Sequence, residues 1–199
     1  MTNITLDNNC LIDLEEQQGA FTDLVKLVNL WRQQKIQLCV TAITAAELTK
    51  DGQMAQRLDD FHVRISKAGL DGIRILTNIF YWGIGYFDGT SIYGTPEMYV
   101  LERKIHEILF SGIEYSYQDY CDSQGVAHIR GQFEQKWRNA KIDVLCMWSH
   151  IHNRCDIFIT RDKNFHKLTK KEPLISLGAN NIMYPTDALL WIQKNLDKA

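Results

Sequence analysis

The stretch "DIFITRDKNF", residues 156–165, decides the predicted fold of this chain. Its apolar residues 157–159 are β-prone and form a short run that is typical of a buried strand. The run ends in Thr160, Arg161 and Asp162, so a predicted core strand carries a carboxylate just beyond its last residues. In open parallel sheets, ligands bind outside the carboxyl ends of the strands. Asp162 is therefore a candidate site residue, provided that the sheet is parallel.

Strand and helix patterns alternate along most of the remaining sequence. Short β-type runs predict strands at residues 3–6, 36–42, 156–160 and 174–178. Amphipathic patterns and start signals predict helices at residues 21–34, 97–111, 132–154 and 185–196. This alternation predicts an α/β domain around a mostly parallel central sheet.

The middle of the chain has a different composition. Residues 51–131 hold seven of the eight tyrosines and the Gly-rich aromatic segment "NIFYWGIGYFDGTSIYG". We therefore predict one domain over residues 1–199, with residues 51–131 as an aromatic-rich insertion or lid. The aromatic residues between 80 and 93 either stack unpaired bases or pack the core of the insertion itself, and the sequence leaves both interpretations open.

Composition limits the classes of protein to which the chain can belong. With 199 residues, 45% of them hydrophobic, it can bury a sizeable core. It has no apolar run long enough for a membrane span and a polar start without signal-peptide features, so a cytoplasmic location is expected. The five cysteines form no CxxC pair, which argues against a zinc ribbon. Because the net charge is only −2, any nucleic acid must be bound locally.

Four acidic residues that are far apart in the sequence are predicted to meet at one edge of the sheet. Asp7 follows the first strand as Asp162 follows the later one. From residue 154 back to Asp143, the helix rises about 16 Å, and the following strand rises about 16 Å to its tip. Asp143 and Asp162 should therefore lie at the same height. Glu47 follows the second predicted strand by about one helical turn, which places it near the same edge.

Such a group of carboxylates indicates metal chemistry. Like charges close together in a cleft raise one another's pKa, so the arrangement needs a compensating cation. Mg²⁺ is usually held by carboxylates, water and substrate phosphate oxygens. A bound metal ion also makes hydroxide available near neutral pH and stabilises a phosphoryl group under attack. The predicted reaction is metal-assisted hydrolysis of a phosphodiester.

Four blocks of the sequence resemble the successive blocks of a PIN domain, the fold of many metal-dependent ribonucleases, including the toxins of toxin-antitoxin pairs. The blocks are "ITLDNNCLIDL" (4–14), "VTAITAAEL" (40–48), "KIDVLCMWSHIHNRCDIFITRDKNF" (141–165) and "IMYPTDALLWI" (182–192). The resemblance implies a three-layer α/β/α fold and an endoribonuclease that depends on Mg²⁺ or Mn²⁺. Residues 51–131 depart from the family pattern, because they are longer than the helical hairpin expected there.

The resemblance also implies roles for individual residues. The acidic site would consist of Asp7, Glu47, Asp143 and Asp162, with all but Glu47 as the metal ligands. Asn9 and Thr160 would support the carboxylates through hydrogen bonds. Basic residues beside the last carboxylate, among them Arg161, Lys163 and His166, would contact RNA or form an ordinary solvated surface. The implied partners are RNA, an antitoxin protein and, by analogy, a second copy of the chain.

Each acidic residue also has a purely structural interpretation. Asp7 and Asp162 are suited to cap the helices that follow them, and Glu47 and Asp143 suit solvated helix positions. Two other functional classes remain as alternatives. One is a catalytically inactive PIN-like module that binds RNA or protein. The other is a phosphatase or a receiver-type α/β domain, which also places aspartates at strand ends. A haloacid-dehalogenase-like phosphatase would require a second aspartate where this chain has Asn9.

Overall fold

A computed structural model describes residues 1–46, 58–85, 90–129 and 131–196. Its strands are β1 (Asn3–Leu6), β2 (Gln37–Thr41), β3 (Arg74–Leu76), β4 (Asn78–Ile79), β5 (Ser91–Ile92), β6 (Ile157–Ile159) and β7 (Asn181–Met183). Within the described residues, five strands form a parallel central sheet in the order β3-β2-β1-β6-β7. Strands β4 and β5 form a separate parallel pair.

Helices cover both faces of the central sheet. They are α1 (Asn8–Glu16), α2 (Phe21–Arg32), α3 (Leu58–Lys67), α4 (Pro96–Phe110), α5 (Tyr117–Gln124), α6 (Gln135–His152), α7 (Lys163–His166), α8 (Leu168–Leu174) and α9 (Pro185–Leu196). A 3-10 helix covers Ala42–Ala46, and a π-helical turn covers Ile175–Ala179. Helices α1, α2, α3 and α9 contribute to one apolar core, and α4, α5, α6 and α8 contribute to the other. The predicted α/β/α fold with a mostly parallel sheet is confirmed.

The central strands β1 and β6 are buried on both faces, which explains why they do not alternate between apolar and solvated residues. In β1, Ile4 and Leu6 face the first core, whereas Thr5 points to the other side and is fully buried. The Thr5 hydroxyl is 2.9 Å from Nδ1 of His150 on α6, and the other ring nitrogen of His150 is 3.0 Å from the Ala179 carbonyl. His150 is therefore a satisfied core residue, and its hydrogen bonds fix α6 against the sheet.

One predicted strand is wrong. Residues 174–178 were predicted to be extended, but they belong to the end of α8 and to the π-helical turn. Strand β7 begins only at Asn181, after two residues with positive φ, Gly178 at 114° and Asn180 at 55°. A short apolar run does not distinguish a strand from a buried helical segment by periodicity. The backbone reversal at these two residues separates the helix from the strand.

The described part of residues 51–131 lies in two different places. Helix α3 packs Phe61 and Ile65 into the first core, and β3 pairs with β2 as an edge strand of the central sheet. The segment after Leu76 packs on the opposite face, where α4 contributes Ile105 and Leu109 to the second core. The part of the predicted insertion that lies outside the central sheet therefore begins after Leu76.

Two further findings concern the helices and the cysteines of the described ranges. No helix in the described ranges combines the length and the apolar character that a membrane crossing requires. The five cysteines all lie within those ranges, are buried and form no disulfide.

Candidate acidic site

Asp7 lies directly after β1 and begins α1. It is the N-cap of that helix, with Oδ1 accepting a hydrogen bond of 2.9 Å from the backbone N–H of Asn8. Its own N–H donates to the carbonyl of Ile159 in β6, at 3.0 Å. The side chain is only 7% exposed. Asp7 therefore has the predicted capping role and also lies at the carboxyl edge of the parallel sheet.

The Thr160 hydroxyl connects the ends of β1 and β6. It donates a 2.6 Å hydrogen bond to Oδ2 of Asp7, and it accepts hydrogen bonds from Nδ2 of Asn9 at 2.9 Å and from the N–H of Asp162 at 3.0 Å. One donated and two accepted bonds use the full capacity of a hydroxyl. Nδ2 of Asn9 also donates to Oδ2 of Asp7, and Oδ1 of Asn9 accepts from the N–H of Arg161 at 2.9 Å. These contacts fix the Asp7 carboxylate in one orientation.

Asp162 is held by a second helix cap. It follows Arg161, is the N-cap of α7, and accepts a 2.8 Å hydrogen bond on Oδ1 from the N–H of Asn164. Its side chain is partly exposed. Because only one carboxylate oxygen is used by the cap, the other is available at the edge of the sheet.

Asp143 reaches the same region from α6. Burial raises its pKa well above the ordinary value, and the negative charges of Asp7 and Asp162 raise it further, whereas the positive charge of Lys170 opposes this rise. Within the described residues, no group donates a hydrogen bond to the Asp143 carboxylate. Three carboxylates from separate elements therefore interact electrostatically, and one of them lacks a hydrogen-bond donor among the described residues.

The pKa of Asp7 is also raised, from 3.8 to about 6. Burial is the main cause and the charge of Asp162 adds to it, although the hydrogen bonds from Thr160, Asn8 and Asn9 act in the opposite direction. Ionisation of the site at neutral pH therefore costs free energy, because the negative charges lie close together in a region with little water. A cation bound between the carboxylates would remove that cost.

Lys170 is a cation at the site that the sequence did not identify individually. Its Nζ donates to Oδ1 of Asn164 at 2.5 Å and to the carbonyl of Leu109 at the end of α4. Burial lowers its pKa, and the charges of Asp162 and Asp143 oppose this effect. In the sequence Lys170 is one basic residue among several after Asp162, so only the tertiary contacts separate it from a solvated surface.

The donor set fits a hard divalent cation, but the described side chains do not form a complete cage. Three aspartates supply the oxygen ligands that Mg²⁺ and Mn²⁺ prefer. Among the described residues, no three acidic, histidine or cysteine side chains are grouped closely enough to hold a metal ion as they stand. Glu47, the fourth predicted carboxylate, lies outside the described residues.

The predicted substrate contacts differ in their surroundings. The guanidinium of Arg161 forms two contacts of 2.6 Å with the carboxylate of Asp13, which is fully buried. His166 lies 2.9 Å from the carbonyl of Thr160 through Nε2 and stacks on Tyr184 with ring centroids 3.6 Å apart. Burial lowers the pKa of His166. Lys163 is exposed in the first turn of α7. Arg161 and His166 thus have internal partners, and Lys163 faces solvent.

Comparison with known proteins shows a likeness in structure but none in sequence family. No family model matches the sequence, and no curated protein matches it. Among solved structures, the chain is similar to a chain of VapBC2 from Rickettsia felis. That crystal structure contains VapBC2 bound to a DNA fragment from the VapBC2 promoter. The sequence identity is 10% and the TM-score is 0.40, with 92% of this chain and 98% of that chain covered. Membership of the PIN family does not follow from a likeness at this level.

Proposed function

We propose that the chain is a metal-dependent endoribonuclease with a PIN-like acidic site. The observation that supports this proposal most directly is the electrostatic interaction of Asp143 on α6 with Asp7 and Asp162, which follow β1 and β6. Buried like charges are unfavourable without a counter-ion. A divalent cation bound by these carboxylates is the simplest compensation, and phosphodiester hydrolysis is the reaction that such a site favours.

The residues of the site would have two roles, binding of the metal ion and orientation of its ligands. Asp7, Asp143 and Asp162 would hold Mg²⁺ or Mn²⁺, and the bound ion would supply a hydroxide near neutral pH and stabilise negative charge on the phosphoryl group. Thr160 and Asn9 keep the Asp7 carboxylate oriented through their hydrogen bonds. We include Glu47 as a further ligand or proton acceptor, on the basis of the family resemblance alone.

A binding module without catalysis is the second candidate. The described residues contain no complete metal-binding group, and Lys170 already offsets part of the charge near Asp143. Both observations favour a PIN-like module that binds RNA or a partner protein. The family resemblance extends the first proposal to the toxin of a toxin-antitoxin pair, with an antitoxin protein as partner.

The experiment that separates the candidates is cleavage of a mixed pool of unstructured RNA in Mg²⁺, in Mn²⁺ and in EDTA. Wild-type protein should cleave only with metal, and Asp162→Asn, purified identically, should not cleave. Asparagine keeps the Oδ1 atom that caps α7, so the variant should fold normally. Equal cleavage in EDTA or by the variant would remove the proposed mechanism. No cleavage by wild type under any condition would favour the binding module.

Thr160→Val provides a separate test of the supporting hydrogen bonds. Valine preserves the shape of threonine but removes the hydroxyl that orients Asp7 and accepts from the N–H of Asp162. We expect kcat/KM for RNA cleavage to fall about 10-fold to 100-fold, the range typical for partners that orient metal ligands. Thr160→Ser retains the hydroxyl and should keep most of the activity. Equal rates for the valine and serine variants would show that the hydroxyl has no orienting role.

A further inference from the structure

A groove of about 620 Å³ runs along the exposed face of α4. Its floor consists of helix residues three or four positions apart, and two tyrosines from other segments form its wall. The lining residues are Tyr81, Pro96, Tyr99, Val100, Arg103, Lys104, Glu107 and Tyr115. Since they include three aromatic rings and two cations, the groove combines stacking surfaces with positive charge.

The tyrosine wall is fixed by a buried carboxylate. Oε2 of Glu102, which is fully buried, accepts hydrogen bonds from the hydroxyl of Tyr81 at 2.5 Å and from that of Tyr115 at 2.7 Å. Oε1 of Glu102 pairs with Nζ of Lys141 on α6. This ammonium also lies 4.2 Å from the centroid of the Tyr81 ring and 4.3 Å from that of Tyr115. The two rings are therefore held in place before any ligand binds.

Cations and aromatic rings meet directly along the groove. The guanidinium of Arg103 lies 4.2 Å from the centroid of the Tyr115 ring, and both Arg103 and Lys104 are exposed. The ring of Tyr99 packs edge-on against Tyr81, with 6.2 Å between centroids, and is 37% exposed. Glu107 is the acidic residue of the lining, so the charged lining residues sum to one positive charge. This lining complements an aromatic ligand that carries negative charge.

The groove is connected to the acidic site at two points. Lys141, beneath its wall, lies two residues before Asp143 on α6. At the end of α4, the carbonyl of Leu109 accepts a hydrogen bond from Lys170, whose charge acts on Asp143 and Asp162. A chain that follows α4 towards its carboxyl end therefore approaches the carboxylates.

We infer that this groove binds unpaired nucleotides of single-stranded RNA, with a base stacked on Tyr99, the exposed tyrosine of the lining, and phosphates held by Arg103 and Lys104. The inference deepens the proposed function and rests on it, because RNA in the groove would be the substrate of the acidic site. A helical peptide from a partner protein would also fit an apolar helix face, but the paired cations beside aromatic rings favour a polyanion that carries bases.

Binding measured without metal tests the inference independently of cleavage. The probe is a fluorescein-labelled oligouridine of about 12 nucleotides, within the range of site sizes typical of single-strand binders. Its anisotropy would be titrated with full-length protein in EDTA. We expect Tyr99→Ala to weaken binding at least about fivefold, as the loss of one stacked base does. Arg103→Ala combined with Lys104→Ala should weaken it further and reduce its dependence on salt.

Matched controls lie on α9, which packs on the opposite face of the sheet. Trp191→Ala and Lys194→Ala remove an exposed aromatic ring and an exposed cation there and should leave the affinity unchanged. Thermal unfolding by circular dichroism would confirm that all variants fold. Equal affinity of wild type and both groove variants, or no RNA binding by wild type, would overturn the groove assignment. RNA binding in the groove without any metal-dependent cleavage would overturn the nuclease proposal alone.

Discussion

Asp7→Asn is expected to lower metal-dependent RNA cleavage about a thousandfold. A bound metal ion contributes several kcal/mol of charge stabilisation in the transition state, and each 1.36 kcal/mol corresponds to about a factor of ten in rate. Asparagine keeps the Oδ1 acceptor for the N–H of Asn8, so the cap of α1 should persist. The measurement is the single-turnover rate of cleavage at saturating Mn²⁺, compared with wild type.

Asp156→Asn is the matched control for this variant. Asp156 lies before β6, at the opposite edge of the sheet, where its carboxylate accepts a 2.7 Å hydrogen bond from the N–H of Asn3. Asparagine offers the same acceptor, so cleavage should stay at the wild-type rate. If Asp7→Asn and Asp156→Asn cleave equally well, Asp7 takes no part in catalysis.

The same Asp7→Asn variant should change how stability depends on pH in the absence of metal. The pKa of Asp7 is about 6 in the folded protein and 3.8 ordinarily. Protonation of Asp7 therefore favours the folded state, and this contribution to the free energy of unfolding is fully present below pH 3.8. It is lost as the pH rises through about 6, because the unfolded chain releases the proton at a lower pH than the folded chain. Each pKa unit corresponds to about 1.36 kcal/mol. The free energy of unfolding of wild type should therefore fall by about 3 kcal/mol over this range, whereas that of the variant should not.

Urea unfolding in EDTA between about pH 3 and pH 7.5 measures this difference. The free energy of unfolding of the variant minus that of wild type should increase with pH across this window. A difference that stays constant would mean that the Asp7 carboxyl has an ordinary pKa and is not buried against other charges. Addition of Mn²⁺ at pH 7.5 should stabilise wild type more than the variant, since binding to the folded state adds to its stability.

Lys141→Met is expected to lower the free energy of unfolding by about 3 to 5 kcal/mol, the cost of leaving a buried charge without its partner. Glu102 is fully buried, and Lys141 is the cation paired with it, with 3% of its side chain exposed. The hydroxyls of Tyr81 and Tyr115 would remain as donors to Glu102. They stabilise the carboxylate but do not neutralise it. Urea unfolding at pH 7.5 gives the value.

The double variant Lys141→Met with Glu102→Gln is the control for this prediction. Removal of both charges should restore most of the lost stability, because a neutral amide still accepts from the tyrosine hydroxyls. A single variant as stable as wild type, or a double variant no more stable than the single, would show that charge pairing is not what Lys141 contributes.

The positions of Asp7 and Asp162 were predictable because the signals that place them are local. Each follows a short β-type run and precedes residues that begin a helix, and the structure has the strand end and the cap at both positions. The position of Asp143 followed from helix and strand rise alone. Its electrostatic interaction with Asp7 and Asp162 agrees with that estimate.

Contacts between distant residues could not be predicted in the same way. Arg161 was considered as an RNA contact, yet it pairs with Asp13, which is buried in α1. The charge of Lys170 acts on Asp162 and Asp143 because α8 packs against the end of α4. The place of β3 in the central sheet was also not predicted, because the strand is only three residues long and only Leu76 in it is buried. Such features depend on packing and leave no periodic signal in the sequence.

The central position of β1 has a consequence for synthesis on the ribosome. Ile4 of β1 pairs with Ile157 of β6, so β1 must wait for a strand that is made 153 residues later. At about 5 to 20 residues per second, this wait lasts roughly 8 to 30 seconds. During that time Asp7 has no neighbouring carboxylate from β6 or α6. A site that needs Asp7, Asp143 and Asp162 together therefore cannot form before β6 and the residues after it have been made.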